Sequence, residues 1–220
     1  MWILSSLSRP DRIREVVDCY QWDTGESRVV LALYAGDKRI TEYLKADWPS
    51  NWNIDVVPML GNGPTYNEIL RRYPGERTYG FLADDAVLDH QGMLATLEDQ
   101  ADAWHVAYAN DRHHEDRICT MPCIGGELVR AVGYLAHQNL VHMSIDCMWH
   151  AIGRRLGLLR FQPHLTYTHK HPLFGRAEVD NTYLRAQLMS AGHEQVMRGF
   201  VNGGELERIA ECVAALRAAA

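Results

Sequence analysis

A chain of 220 residues and 25.0 kDa is longer than one average domain and shorter than two. With 47% apolar and 23% charged residues it lies near the globular average, which excludes a disordered, collagen-like or coiled-coil chain. A formal net charge of −6 argues against tight binding along nucleic acid. Cys19, Cys119, Cys123, Cys147 and Cys212 are odd in number and lack framework spacing, so they read as reduced thiols. The segment Met1–Leu7 has no basic region ahead of its short apolar run, and no stretch approaches the ~18 apolar residues of a membrane span. The expectation is a cytoplasmic protein.

In chain order, Trp2–Leu7 is an apolar strand that stops at Ser8-Arg9-Pro10-Asp11, after which Ile13, Val16, Val17 and Tyr20 recur at helical spacing. Arg28–Tyr34 is a continuous β-branched run, as expected of a strand covered on both faces. A short helix is predicted over 37–46, a third strand over Asn53–Leu60, and a helix marked by Tyr66, Ile69 and Leu70 that ends before Pro74-Gly75. Thr78–Ala83 is a fourth strand running directly into Asp84-Asp85.

The second half is less regular. Trp104–Ala109 and Ile118–Ile124 read as strands, 127–137 and 144–157 as helices, Leu158–Phe161 and Leu165–Thr168 as two short strands, and 178–191 and 205–219 as helices. Alternating strands and helices predict one α/β domain, a mostly parallel sheet flanked by helices. Ligands of such sheets bind beyond the carboxyl ends of the strands. Ser5, Ser6, Arg9, Asp37, Gly61–Gly63 and Asp84-Asp85 all fall at such ends.

Asp84-Asp85 is the most informative pair. Adjacent carboxylates after an apolar strand repel unless a cation or hydrogen-bond donors offset them. Hard oxygen ligands there suit Mg2+ or Mn2+ holding a diphosphate, whereas the plainer reading is a solvated turn. His169 and His171 are spaced to lie on one side of a strand, and an imidazole beside the carboxylates tilts the preference from Mg2+ towards Mn2+ or a later transition metal. Asp146 opens a helix, where it is either a cap or a base for a hydroxyl nucleophile; Asp180 shares that ambiguity. Arg9 and Arg176 have the forked donors that pair with phosphate. His113-His114-Glu115-Asp116 reads as an exposed loop, Tyr34, Trp104 and Trp149 as core, and Cys119 and Cys123 as structural thiols. Gly61-Asn62-Gly63 has neither the Walker lysine nor the G-x-G-x-x-G spacing, and no G-x-S-x-G elbow is present.

The order of these features resembles the GT-A glycosyltransferases, in particular small family-A nucleotide-sugar transferases. The resemblance rests on S-S-L-S-R-P-D after the first strand, Y-A-G-D ending at Asp37, F-L-A-D-D-A-V-L at Phe81–Leu88, C-I-G-G-E-L at Cys123–Leu128, S-I-D at Ser144–Asp146 and T-H-K-H-P at Thr168–Pro172. It covers roughly residues 1–185 and implies a GT-A-like, Rossmann-like single domain. That domain would comprise a nucleotide-sugar-binding half (1–110), an acceptor and metal-completing half (111–185) and a C-terminal helical extension (186–220). By resemblance Ser5, Ser6 and Arg9 lie by the base and ribose, and Asp37 near the base. Asp84 and Asp85 form the acidic metal motif, with Asp85 the direct ligand, Asp84 the ribose or metal contact, and His169 completing the Mn2+ or Mg2+ site. Asp146 is the general base. The usual D-x-D triplet is here Ala83-Asp84-Asp85.

The implied activity is metal-dependent transfer of a sugar from a nucleoside-diphosphate sugar to an acceptor hydroxyl on a glycan, protein, small molecule or modified nucleic-acid base. The alternatives are a nucleotidyltransferase on a related scaffold and a non-catalytic GT-A-like binding module.

Overall fold

The computed structural model describes residues 1–24, 27–58, 61–170, 179 and 181–219. Strands β1 (Trp2–Ser6), β2 (Val29–Tyr34), β3 (Trp52–Val57) and β4 (Thr78–Leu82) are parallel. β1 lies between β2 and β4, with Trp2 opposite both Val29 and Gly80. Side chains two apart share a face of a strand. Trp2, Leu4, Val29, Leu31 and Leu33 therefore join one core layer with Ile13, Val16 and Tyr20 of helix α1 (Pro10–Thr24). Met1, Ile3, Val30 and Ala32 join the other, with Tyr66 and Ile69 of α3 (Asn62–Arg72); the short α2 (Ile40–Leu44) lies between β2 and β3 in sequence. Two layers on one sheet explain why these strands are apolar throughout rather than alternating. Gly80 is part of this packing, because a Cβ there would collide with the Trp2 ring.

The rest of the chain comprises β5 (Ala86–Leu88), α4 (Met93–Ala101), β6 (Val106–Asn110), β7 (Cys123–Gly125), α5 (Gly126–Val132), α6 (Ile145–Leu156), β8 (Leu159–His169), α7 (Asn181–Met189), α8 (His193–Asn202) and α9 (Glu205–Ala219). The eight strands run in the order β3-β2-β1-β4-β7-β6-β8-β5. β7 is antiparallel to β4 and β6, β8 is parallel to β6, and β5 is antiparallel to β8. All of this is one α/β domain with a mostly parallel sheet flanked by helices. α9 packs on α5 and α6. No helix among the described residues is long and apolar enough to cross a membrane.

Several elements differ from the sequence reading. The two short strands predicted over 158–168 are one strand, β8. Its register jumps from Gln162 opposite Ala109 to Thr166 opposite Asn110, so the residues between, Pro163 to Leu165, bulge out. Proline has no N–H for the ladder, and that break gave the segment the look of two strands. The strand predicted over 118–124 shrinks to Cys123–Gly125, behind a loop that starts at Asp111. β5, α4 and α8 went unpredicted, although Met93, Leu94, Leu97 and Ala101 have helical spacing and are all buried. Met59 and Leu60, predicted as strand, lie outside the described residues, as do His171, Arg176 and Asp180.

Candidate active site

The carboxyl ends of β1, β2 and β4 lie side by side because the three strands are parallel and in register. β4 leads through Ala83 into the Asp84-Asp85 turn, which Tyr20 of α1 clamps by directing its buried hydroxyl at the carbonyls of Ala83 (2.7 Å) and Ala86 (3.1 Å). Asp84 is only 8% exposed. Its carboxylate accepts from Ser6 Oγ at 3.1 Å and from the Arg9 guanidinium at 3.2 Å. Tyr43 of α2 ties the same group together, lying 2.8 Å from Ser6 Oγ and accepting the Arg9 N–H at 2.7 Å. Since Ser6 gives its proton to Asp84, Tyr43 donates to Ser6. Burial nevertheless dominates, and with repulsion from Asp85 it outweighs Arg9, Ser6 and Arg12, holding Asp84 up at about 6.

Asp85 meets His169 for a topological reason. β5 pairs antiparallel with the end of β8, Ala86 stands opposite His169, and Lys170 N donates to the Asp85 carbonyl at 2.7 Å. The Asp85 carboxylate and His169 Nε2 are then 3.1 Å apart. Burial disfavours the imidazolium, but that contact and the charges of Asp85, Asp111 and Asp146 prevail and raise the His169 pKa. Of the three side chains expected around an ion, Asp85 and His169 come together, whereas Asp84 faces Ser6 and Arg9. Among the described residues no three His, Cys, Asp or Glu side chains converge as a ready-made cage. A carboxylate oxygen and an imidazole nitrogen nonetheless fit Mn2+ or Mg2+ of the substrate-bridging kind, which takes one or two protein ligands and fills the remainder with phosphate oxygens and water.

Ser6 also lines an open cleft at these strand ends, walled by Ser5, Tyr34, Asn62, Thr65, His142 and Arg185 among others. Tyr34, expected in the core, is half-buried; its ring lies over Gly36, where a Cβ would strike it, and forms part of the wall. Trp149 is fully buried as expected, and Trp104 is partly buried against the core. Gly63 owes its lack of a side chain to contact with protein, since a Cβ would collide with the Leu140 carbonyl. Asp37 is buried outside the cleft wall. It accepts from Ser8 N (2.6 Å), Ser8 Oγ (2.7 Å) and Arg39 N (2.9 Å), fixing the loop that carries Arg9.

Asp146 occupies the first turn of α6, where its carboxylate accepts the Cys147 N–H at 2.8 Å. Burial raises its pKa against the hydrogen bonds from Cys147 and the charge of His114. Its charge also acts on Tyr66, Tyr167 and His169. Asp111, Arg112 and the following His113-His114-Glu115-Asp116 were expected to be exposed. His113, Glu115 and Asp116 are, but Asp111 is fully buried, accepting from His113 N (2.9 Å), His114 N (2.7 Å) and His114 Nδ1 (2.7 Å). Sequence reasoning missed Tyr20, Tyr43, Thr65, His142 and Arg185, whereas Asn62 lay within the strand-end segment Gly61–Gly63.

Strand order and the solved structures it matches give a GT-A-like fold. No protein-family model and no curated protein matches the sequence. Among solved structures, the chain is similar to the mannosyltransferase PcManGT from Pyrobaculum calidifontis in complex with GDP-Man and Mn2+. The identity is 13% and the TM-score 0.60, over 100% of this chain and 75% of that one. It is similar to S. aureus TarS at 12% identity and TM-score 0.57, over 90% of this chain and 43% of TarS. TarS 1-349 in complex with UDP matches at 12% and 0.58, over 90% and 71%. The chain thus spans less than half the length of full TarS.

Proposed function

We propose that the protein is a metal-dependent glycosyltransferase moving a sugar from a nucleoside-diphosphate sugar to an acceptor hydroxyl. The observation that supports this reading most is the contact between Asp85 and His169, 3.1 Å apart, in the turn that follows a parallel strand of a GT-A-like fold. Solved neighbours hold GDP-Man with Mn2+, and UDP.

In this reading Ser5, Ser6 and Arg9 stand beside the base and ribose, and Asp37 supports them by holding the Ser8 turn next to the base. Asp85 and His169 are the ligands of Mn2+ or Mg2+, with Asp84 behind them contacting ribose or metal. The ion, when bound, offsets the charge that develops on the departing diphosphate. Asp146, whose raised pKa makes it a stronger base than a solvent-exposed carboxylate, takes the proton of the acceptor hydroxyl as that oxygen attacks the anomeric carbon.

Calorimetric titration of the full chain with UDP- and GDP-sugars, with and without Mn2+, tests the reading. Metal-dependent binding of one sugar nucleotide with slow donor hydrolysis is expected. Pyrophosphate release from a nucleoside triphosphate and a sugar phosphate would make it a nucleotidyltransferase, and absence of any nucleotide binding would make it a non-catalytic module.

A further inference from the structure

The wall of the cleft opposite the Asp84-Asp85 turn in sequence comes from two late segments, the loop ahead of α6 and helix α7. They place His142 and Arg185 in the same cleft as Ser5, Ser6 and Thr65. Neither side chain has a hydrogen-bond or ion-pair partner among the described residues. Arg9, by contrast, is engaged by Asp84 at 3.2 Å. An anionic ligand entering beside two carboxylates is repelled by them, and the Arg185 fork is a positive group on the wall available to offset that.

We propose that His142 and Arg185 form an anion subsite of the cleft that grips a diphosphate without help from a metal ion.

The subsite is built rather than incidental, because the backbone on either side of His142 is anchored. Val141 accepts the Gly63 N–H of α3 at 3.0 Å and donates its own to His193 Nε2 of α8 at 3.1 Å. Met143 N donates to Ser190 Oγ at 3.3 Å. His142 is therefore held at the cleft by two helices, and the α3 start that holds it contributes Asn62 to the same wall. Burial, with Arg9 and His193 nearby, pushes the His142 imidazole down to about 4. At neutral pH it is uncharged and offers one N–H without repelling Arg185. Arg185 supplies charge and two parallel donors, the geometry that suits phosphate oxygens. Ser6, a wall residue that also donates to Asp84, links this subsite to the carboxylate turn.

The nucleoside part of the ligand rests on the transferase reading; the anion subsite does not. Calorimetry in EDTA on the full chain separates the two, with inorganic pyrophosphate, UDP, GDP, uridine and guanosine as probes. Wild-type protein is expected to bind pyrophosphate and at least one nucleoside diphosphate without divalent metal. Arg185→Gln weakens both roughly tenfold or more while leaving nucleoside binding unchanged, and Arg185→Lys recovers part of the loss. His142→Ala weakens both less. Pyrophosphate binding that Arg185→Gln abolishes, with no added affinity from either nucleoside, sustains the subsite and removes the nucleotide-sugar reading. No pyrophosphate binding by wild type in EDTA, or equal binding by Arg185→Gln, overturns the subsite. Arg185 is exposed, so its replacement leaves the core untouched.

Discussion

In β1 and β2 the strands carry no polar side chains until their last residues, and what is polar at and just beyond the end of β1 is tied down: Ser6 to Asp84, Ser8 to Asp37, Arg9 to Asp84. From β5 onwards titratable groups lie on strand ends, helix starts and loops alike, and Asp85, Asp111 and Asp146 are close enough for their charges to act on His169. The parallel half is a platform whose stability comes from two apolar layers, and the mixed half is where charge is brought together. The contrast teaches that the antiparallel pairing of β5 with β8 is what makes the site, since it alone carries His169 to Asp85.

The strongest way to test that division is Asp85→Ala. It should lower metal-dependent donor hydrolysis by roughly a hundredfold or more while the thermal melt stays within a few degrees of wild type. Retained turnover with Mn2+ would place the ion elsewhere. In the platform, Gly80→Ala forces a methyl into the Trp2 ring, so about 3 kcal/mol of destabilisation in urea titration is expected, with residual activity per folded molecule unchanged. An unaffected midpoint would mean that the β1–β4 layer is looser than its packing implies.

Asp84 sits on the border between the two regions, and its pH behaviour has a definite sign. In the folded chain it holds its proton up to about 6, against 3.8 for the ordinary carboxyl. The folded state therefore binds the extra proton between those values, and stability from this group falls as pH rises through that window. Asp84→Asn should raise stability at pH 7.5 by on the order of 2 kcal/mol and leave it nearly unchanged at pH 3.5. Equal shifts at both pH values would show that Asp84 does not titrate in this window. Smallest of all, Glu207→Gln removes the exposed Arg155–Glu207 pair between α6 and α9, and differential scanning calorimetry should register no more than a marginal change.

Much of the platform was legible because burial on both faces leaves continuous apolar runs, and Arg28–Tyr34 reads as such a strand from sequence alone. Asp84-Asp85 was legible as a candidate site because two carboxylates at a strand end need an explanation. The cleft walls were not. His142 and Arg185 are separated from Ser6 by well over a hundred residues, and no local spacing relates them. Asp111 looked like one more polar residue of a loop, and only the fold shows it sealed inside with four donors of its own loop around one carboxylate.

By itself the sequence determined the α/β alternation, the parallel start of the sheet and the position of the acidic turn, because hydrophobic periodicity and adjacent like charges are local properties of the chain. Tertiary structure alone decided that Asp85 meets His169 while Asp84 turns to Arg9, that Tyr20 clamps the turn between them, and that α7 reaches the cleft. Those choices depend on strand order and on the β8 bulge at Pro163, and the free energies behind them come from packing between distant segments that no short window contains.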